Sequence, residues 1–184
     1  MVSKADVNIR LATRVDLDNI ASLHAKSWQE NYAQVLSADY LENKVLTERI
    51  ALWTTRLNYP SAKQGVFVAE VNHEFVGFIC VLLANHKTYG TIIDNLHVKA
   101  NYKGFGFGTL LLHSAAKWAN QHDAKQPLYL EVLACNTSAM GFYSSLGATN
   151  VANAYWHTPC NNQAKEFIYC WPSAEWLMNK SSVK

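Results

Sequence analysis

Three alternating glycines stand in Lys103-Gly104-Phe105-Gly106-Phe107-Gly108, after an alternating apolar stretch and before a run of helix-forming residues. Without side chains at 104, 106 and 108, successive backbone N–H groups can turn toward one point. The amino end of the following helix adds unpaired donors and the positive end of its dipole. Such a place holds an anion, best a phosphate or pyrophosphate. Neither common glycine fingerprint fits: a P-loop ends in Gly-Lys-Ser/Thr, and G-x-G-x-x-G needs glycine where Thr109 stands. One glycine would read as a turn former, but three before an uncapped helix favour the anion site. Two carboxylates come next. Asp94 and Glu131 sit inside otherwise apolar strand-like stretches, where burial raises a carboxyl pKa toward values useful for proton transfer. Each can take a proton, hold a cation as a fixed charge, or stand solvated at a sheet edge. Further on, Tyr155, Trp156 and His157 offer an aromatic wall. His157 and Cys160 hint only faintly at a metal, no other ligand spacing supports one, and none is expected.

The elements that must position these residues follow from hydrophobic period. Alternation over 8–12 predicts a first strand, and Thr13 and Asp16 can cap a helix whose apolar set is Leu17, Ile20, Ala21, Leu23, Trp28 and Tyr32. A second helical stretch covers 38–57 and ends before Pro60. Strands are predicted at 65–71, 75–83 and 91–98, the first two joined by the tight turn Asn72-His73-Glu74. After the glycines comes an apolar-faced helix over 109–119, a loop over 123–127 and a strand over 128–133. A short helix over 137–146 is closed by Gly147, and two strands at 151–156 and 165–171 end the series. This order makes an α/β protein with a mixed sheet and helices on both faces.

The chain has 184 residues, a length suited to one domain over 1–184. Charged residues are 16% and aromatic ones 12%, the reverse of a disordered composition. The net charge of +2 is spread out, which argues against nucleic acid as a partner. The longest apolar run, 75–84, is too short to span a bilayer, so no membrane partner is expected. The start lacks the apolar core of a signal peptide, and the four cysteines are irregularly spaced. The expectation is a reduced, cytoplasmic protein.

The glycine segment, with Leu96-x-Val98 before it, resembles the acetyl-CoA signature of the GCN5-related N-acetyltransferase (GNAT) superfamily. The pattern is Arg/Gln-x-x-Gly-x-Gly/Ala, with Lys103 here in the first place and Gly106 and Gly108 in the glycine places. Asn136, Ala139, Phe142, Tyr143 and Gly147 match the next motif, Asn-x-x-Ala-x-x-Phe-Tyr-x-x-x-Gly, and Leu23-His24-x-x-Ser27-Trp28-x-x-x-Tyr32 is similar to the first helix of many bacterial members. The resemblance covers nearly the whole chain.

It implies a mainly antiparallel central sheet of about seven strands, splayed between the fourth and fifth. It implies transfer of an acetyl group from acetyl-CoA to a primary amine of a small molecule or protein, by direct attack in a ternary complex. Backbone groups around Leu96, His97 and Val98 would bond the pantetheine arm, and backbone donors of Lys103, Gly104, Phe105, Gly106, Phe107, Gly108 and Thr109 the pyrophosphate. Asn136 would bond the arm or cap its helix. Tyr143 would protonate the leaving thiolate and touch the cofactor, with Asp94 or Glu131 as base. Trp28, Glu30, Tyr32, Asp94, Glu131 and Tyr155 would meet the acceptor, although Trp28 and Tyr32, four apart, also read as a core stripe. Alternatives are a non-catalytic acyl-CoA sensor and a transferase of longer acyl chains. A closed pocket under 38–57 would mean a small amine and an open groove a peptide; an acidic cavity would favour a polyamine, a basic one an amino-acid carboxylate. Trp171 and Trp176 could form a dimer patch, so monomer and homodimer both stand.

Overall fold

The computed structural model describes residues 7–122 and 126–180. The first three residues of the loop expected at 123–127 lie outside them.

Seven strands form one sheet in the order β1-β2-β3-β4-β5-β7-β6. They are β1 (Val7–Leu11), β2 (Gln64–Val71), β3 (Glu74–His86), β4 (Gly90–Val98), β5 (Leu128–Leu133), β6 (Thr149–His157) and β7 (Gln163–Trp171). All neighbours are antiparallel except β4 and β5. The turn after β2 places Asn72 and His73 at φ 49° and 66°, the left-handed pair whose twist matches a two-residue hairpin.

One face carries α1 (Leu17–Asn31), α2 (Ala38–Asn43) and α3 (Val45–Asn58). Ile20, Ala21, Trp53 and Leu57 pack there against Val66, Val68, Phe78 and Cys80 of β2 and β3. The stretch expected as one helix over 38–57 is two, because Lys44 leaves helical angles at φ −121°. The other face carries α4 (Phe107–His122), α5 (Thr137–Ser145) and α6 (Ala174–Lys180), packed on Ile79, Val81, Leu128 and Leu130. The last helix was not expected. It is short, and among its residues of described burial Ala174 and Leu177 alone are buried, too little to register as a helical period. Trp171, read from the sequence as a dimer-patch residue, is instead fully buried, and its indole N–H donates to the Leu146 carbonyl at 3.0 Å.

The feature that makes a site is where the sheet fails to close. β4 and β5 pair only at Thr91↔Leu128 and Ile92↔Tyr129, and beyond that the strands part. A bulge precedes the opening: Cys80 faces Asn95 while Val81 faces Ile93, leaving Asp94 as an extra residue on β4. The irregularity turns both Asp94 and Asn95 toward α3, where Arg56 meets the two of them. Among the described residues no helix is long and apolar enough to cross a membrane.

Candidate active site

The parted strands open into a cleft of about 990 Å³ that reaches both faces of the sheet, at the upper end of ordinary ligand pockets. On the α4 side its lining runs from Tyr102 to Thr109, Phe105 excepted, and on to Asn136, Ala139, Phe142 and Tyr143. Gly104 and Gly106 have φ of +83° and +88°, and a Cβ at either would meet nothing within 4 Å. Glycine is therefore demanded by backbone conformation and not by crowding, and the side of the loop toward the cleft stays clear. The N–H groups of Gly104 through Thr109 have no backbone acceptor among the described residues, whereas Lys103 N–H donates to the Ala100 carbonyl at 3.3 Å. The donor cradle thus begins one residue later than expected. Phe105 points away, 55% exposed, and Phe107 is buried in the core; each lends its backbone only. A pyrophosphate-bearing ligand fits this row of free donors beside a helix start.

Asn136 caps α5, its side chain accepting from Ala139 N–H at 3.1 Å, and it borders the cleft as well. Tyr143 lines the cleft and touches the rings of Phe142 and Trp171. Burial, with Tyr32 nearby, raises its phenol pKa, so the hydroxyl keeps its proton. Leu96 and Val98 pack toward α4. His97 goes the other way: its Nδ1 lies 2.8 Å from Ser27 Oγ, and burial, Lys103 and Arg49 together lower its pKa to about 3. Its side chain belongs to the opposite half of the cleft, not to the α4 side toward which Leu96 and Val98 pack.

That half is roofed by α1 and α3 and floored by the sheet. His24, Trp28, Tyr32, Arg49 and Arg56 come from the helices, Asp94, Glu131 and Glu166 from β4, β5 and β7, and Trp156 from β6. The arrangement follows from period. Residues 49, 53 and 56 share one face of α3, so the turn that buries Trp53 also carries both arginines inward. The register Glu131↔Ile168 and Leu133↔Glu166 puts both glutamates on the face toward α1 and α3.

The three carboxylates differ. Asp94 is held by Arg56 Nη1 at 2.6 Å. Glu131 faces the open space of the cleft, yet the walls around it thin the water and raise its pKa, with Asp94 adding to the effect. Glu166 is raised to about 7, by burial first and by the charge of Glu131 second. Sequence reading passed over Glu166, although an acidic residue within an apolar strand is the same signal that singled out Asp94 and Glu131. Two residues expected to meet the acceptor do not line the cleft. Glu30 lies on the exposed side of α1, about 200° around the helix from Trp28, and Tyr155 is 63% exposed on the outer face of β6. Strand alternation sends Trp156 inward instead. Among the described residues no cluster of three or more His, Cys, Asp or Glu could hold a metal.

A sheet opened beside a bulged strand, with a phosphate cradle on one side and a carboxylate-floored chamber on the other, is the frame of an acyltransferase that uses a coenzyme A thioester. Comparison with known proteins gives the family. The family model described as "Acetyltransferase (GNAT) family" matches residues 17–148. An N-alpha-acetyltransferase of Sulfurisphaera tokodaii is 28% identical over 155 residues, 79% of this chain and 82% of that protein. A GCN5-related N-acetyltransferase from Rhodopseudomonas palustris superposes with TM-score 0.72 at 18% identity, over 94% of this chain and 98% of that one. The PaiA N-acetyltransferase of Thermoplasma acidophilum, solved in complex with coenzyme A, gives 0.64 at 20% identity, over 87% and 97%. The chain belongs to the acetyltransferase (GNAT) family and is an acetyl-CoA-dependent N-acetyltransferase.

Proposed function

We propose that the protein acetylates the primary amine of a small molecule by direct attack within a ternary complex. The observation that carries the small-molecule reading is the closed rim of the acceptor chamber. The Trp156 ring stands 5.5 Å from Trp28 and 6.1 Å from Tyr32. Ser37 N–H donates to Cys160 Sγ at 3.4 Å, tying the β6–β7 hairpin to the segment between α1 and α2. A peptide end would have to part these contacts to enter between them.

Acetyl-CoA supplies the acetyl group as an activated thioester. The free N–H groups from Gly104 to Thr109 hold its diphosphate, and the unpaired edge of β4 beyond Ile92 takes the pantetheine arm as a neighbouring strand would. Glu166 takes the proton of the incoming ammonium group, because its carboxyl is half-ionised near pH 7. Burial sets that poise first, and the charge of Glu131 adds to it. Asp94 anchors Arg56 and is not a free base. Tyr143, held protonated, donates to the departing thiolate.

The relatives named N-alpha-acetyltransferase make a protein amino terminus the competing acceptor. A thiol-release assay on a panel of small primary amines and of peptides with free amino termini separates the two. The expected result is a kcat/KM for some small amine at least about tenfold above every peptide, a difference of about 1.4 kcal/mol in transition-state stabilisation. A peptide that outpaces every small amine overturns the reading.

A further inference from the structure

The acceptor chamber has surplus donors in its helical roof and surplus acceptors on its sheet floor. Arg49 lies in the roof with its side chain 14% exposed and its guanidinium 4.3 Å from the centre of the Trp28 ring. Among the described residues it makes no hydrogen bond. Its one ion contact, to Glu48 Oε2, is long at 3.5 Å, and that oxygen already accepts the Tyr40 hydroxyl at 2.5 Å. Arg49 Nε is buried with no acceptor. Arg56, seven residues along the same helix, shows the contrast: its Nη1 sits 2.6 Å from Asp94 and 3.1 Å from Asn95. A guanidinium offers five donors, and leaving them desolvated and unmet is costly.

His24 deepens the deficit in the same roof. The Trp53 indole N–H can only donate, and it donates to His24 Nδ1 at 3.1 Å. Burial, reinforced by His97 and Arg49, keeps the ring neutral, so its single proton is on Nε2. That Nε2–H is also buried without an acceptor, and His24 is 1% exposed. On the floor the imbalance is reversed: Glu131 and Glu166 have neither a hydrogen bond nor an ion pair among the described residues. Tyr32 stands between the two ends, its hydroxyl subject to Glu166 and Arg49 with opposite sign.

We infer that the acceptor amine also carries a carboxylate, seated on the guanidinium of Arg49 in the roof, while its ammonium group docks over Glu131 and Glu166 on the floor. The substrate is an aminocarboxylate. The guanidinium fork matches a planar carboxylate in two-point contact, and one guanidinium held only by a long contact to Glu48 balances one negative charge. A phosphate would bring a second charge into a chamber whose floor already holds two carboxylates. The inference rests on the small-amine reading of the function, and its test keeps the two apart.

Calorimetry on the enzyme saturated with coenzyme A compares four probes that share one skeleton: an apolar α-amino acid, its amide, the decarboxylated amine and the des-amino acid. A parallel series of ω-amino acids of rising chain length reads the distance between the two seats. The amino acid, or one member of the ω-series, is expected to bind at least about tenfold tighter than its own amide or carboxylate-free amine, about 1.4 kcal/mol. Arg49→Gln abolishes that preference and Arg49→Lys keeps part of it, circular dichroism confirming the fold of both. Equal binding of acid and amide by the wild-type enzyme overturns the inference, whether or not the variants fold, and so does a preference that survives Arg49→Gln. Arg49-dependent carboxylate binding with no acetylation of any small amine would leave the seat standing and remove the small-amine reading. Rapid acetylation of amines with no preference for the acid does the reverse.

Discussion

At the scale of single residues the proposed mechanism turns on how three carboxylates in one chamber are kept different. Asp94 is neutralised by Arg56, while Glu166 is left with only a like-charged neighbour and a partly desolvated site, which carries it to about 7. A base with that pKa makes kcat/KM rise with pH through about 7. Glu166→Gln is expected to remove that limb and to lower kcat/KM by about a hundredfold; a retained limb would move the base elsewhere, to Glu131 first. Stability gives an independent readout with a definite sign. A carboxyl raised in the folded state takes up a proton between its unfolded value, near 4.5, and about 7, so folding stability from this group falls as pH rises across that window. The Gln variant should therefore melt above the wild type at pH 8, and the difference should shrink at pH 5. Tyr143→Phe tests the other end of the reaction. It keeps the ring packing on Phe142 and Trp171 and deletes only the hydroxyl, so kcat should fall strongly while the dissociation constant of coenzyme A stays within about twofold. Unchanged turnover would take the acid role from Tyr143.

At the scale of elements, what was legible in the sequence was local and what was hidden was relational. The glycine alternation before α4, the helix closed at Gly147 and all seven strands could be read because each is written in neighbouring residues. The split at Lys44 could not, since it arises where α2 and α3 turn against each other. Nor could the bulge at Asp94, which exists only against the register of β3. Glu166 became part of the site through the pairing of β7 with β5, and Arg49 and Arg56 through the face on which α3 buries Trp53. Tyr155 and Trp156 could be separated only by knowing which side of β6 faces the roof. The glycine loop, the most legible element, carries a direct test. Gly106 holds φ +88° in open space, so Gly106→Ala meets no clash but places an L-residue in the left-handed region at a cost of about 1–2 kcal/mol. A protein of this length should then lose about 2–8 °C in Tm. If the loop relaxes to relieve the strain, its donors turn from the cleft and the Kd of coenzyme A rises about tenfold. An unchanged Tm, the mark of a loop that has relaxed, together with unaltered coenzyme A affinity would mean that the N–H groups at 104–109 do not hold the diphosphate.

At the scale of the whole molecule the sheet is two halves joined by a narrow hinge of pairing. β1 to β4 form one continuous antiparallel run and β5, β7 and β6 another, and only Thr91↔Leu128 and Ile92↔Tyr129 connect them within the sheet. The α4–α6 core spans both halves, with Ile79 and Val81 from one side and Leu128, Leu130 and Trp171 from the other, so the halves are held by packing where backbone bonds are missing. A ligand lying along β4 in the opening supplies those missing bonds and bridges the two runs. Two consequences follow if coenzyme A lies there. At a hundred times its Kd it contributes about 2.7 kcal/mol to stability, which for a chain of this size raises Tm by about 5–11 °C. Hydrogen exchange should show where that energy enters. Amides of β4 beyond Ile92 and of residues 104–109 should become protected, while β1 and β2, already paired and remote from the opening, should change only with global unfolding. Protection spread evenly over the sheet, with none concentrated at the opening, would mean that the ligand binds outside the split and that the parted strands are not its seat.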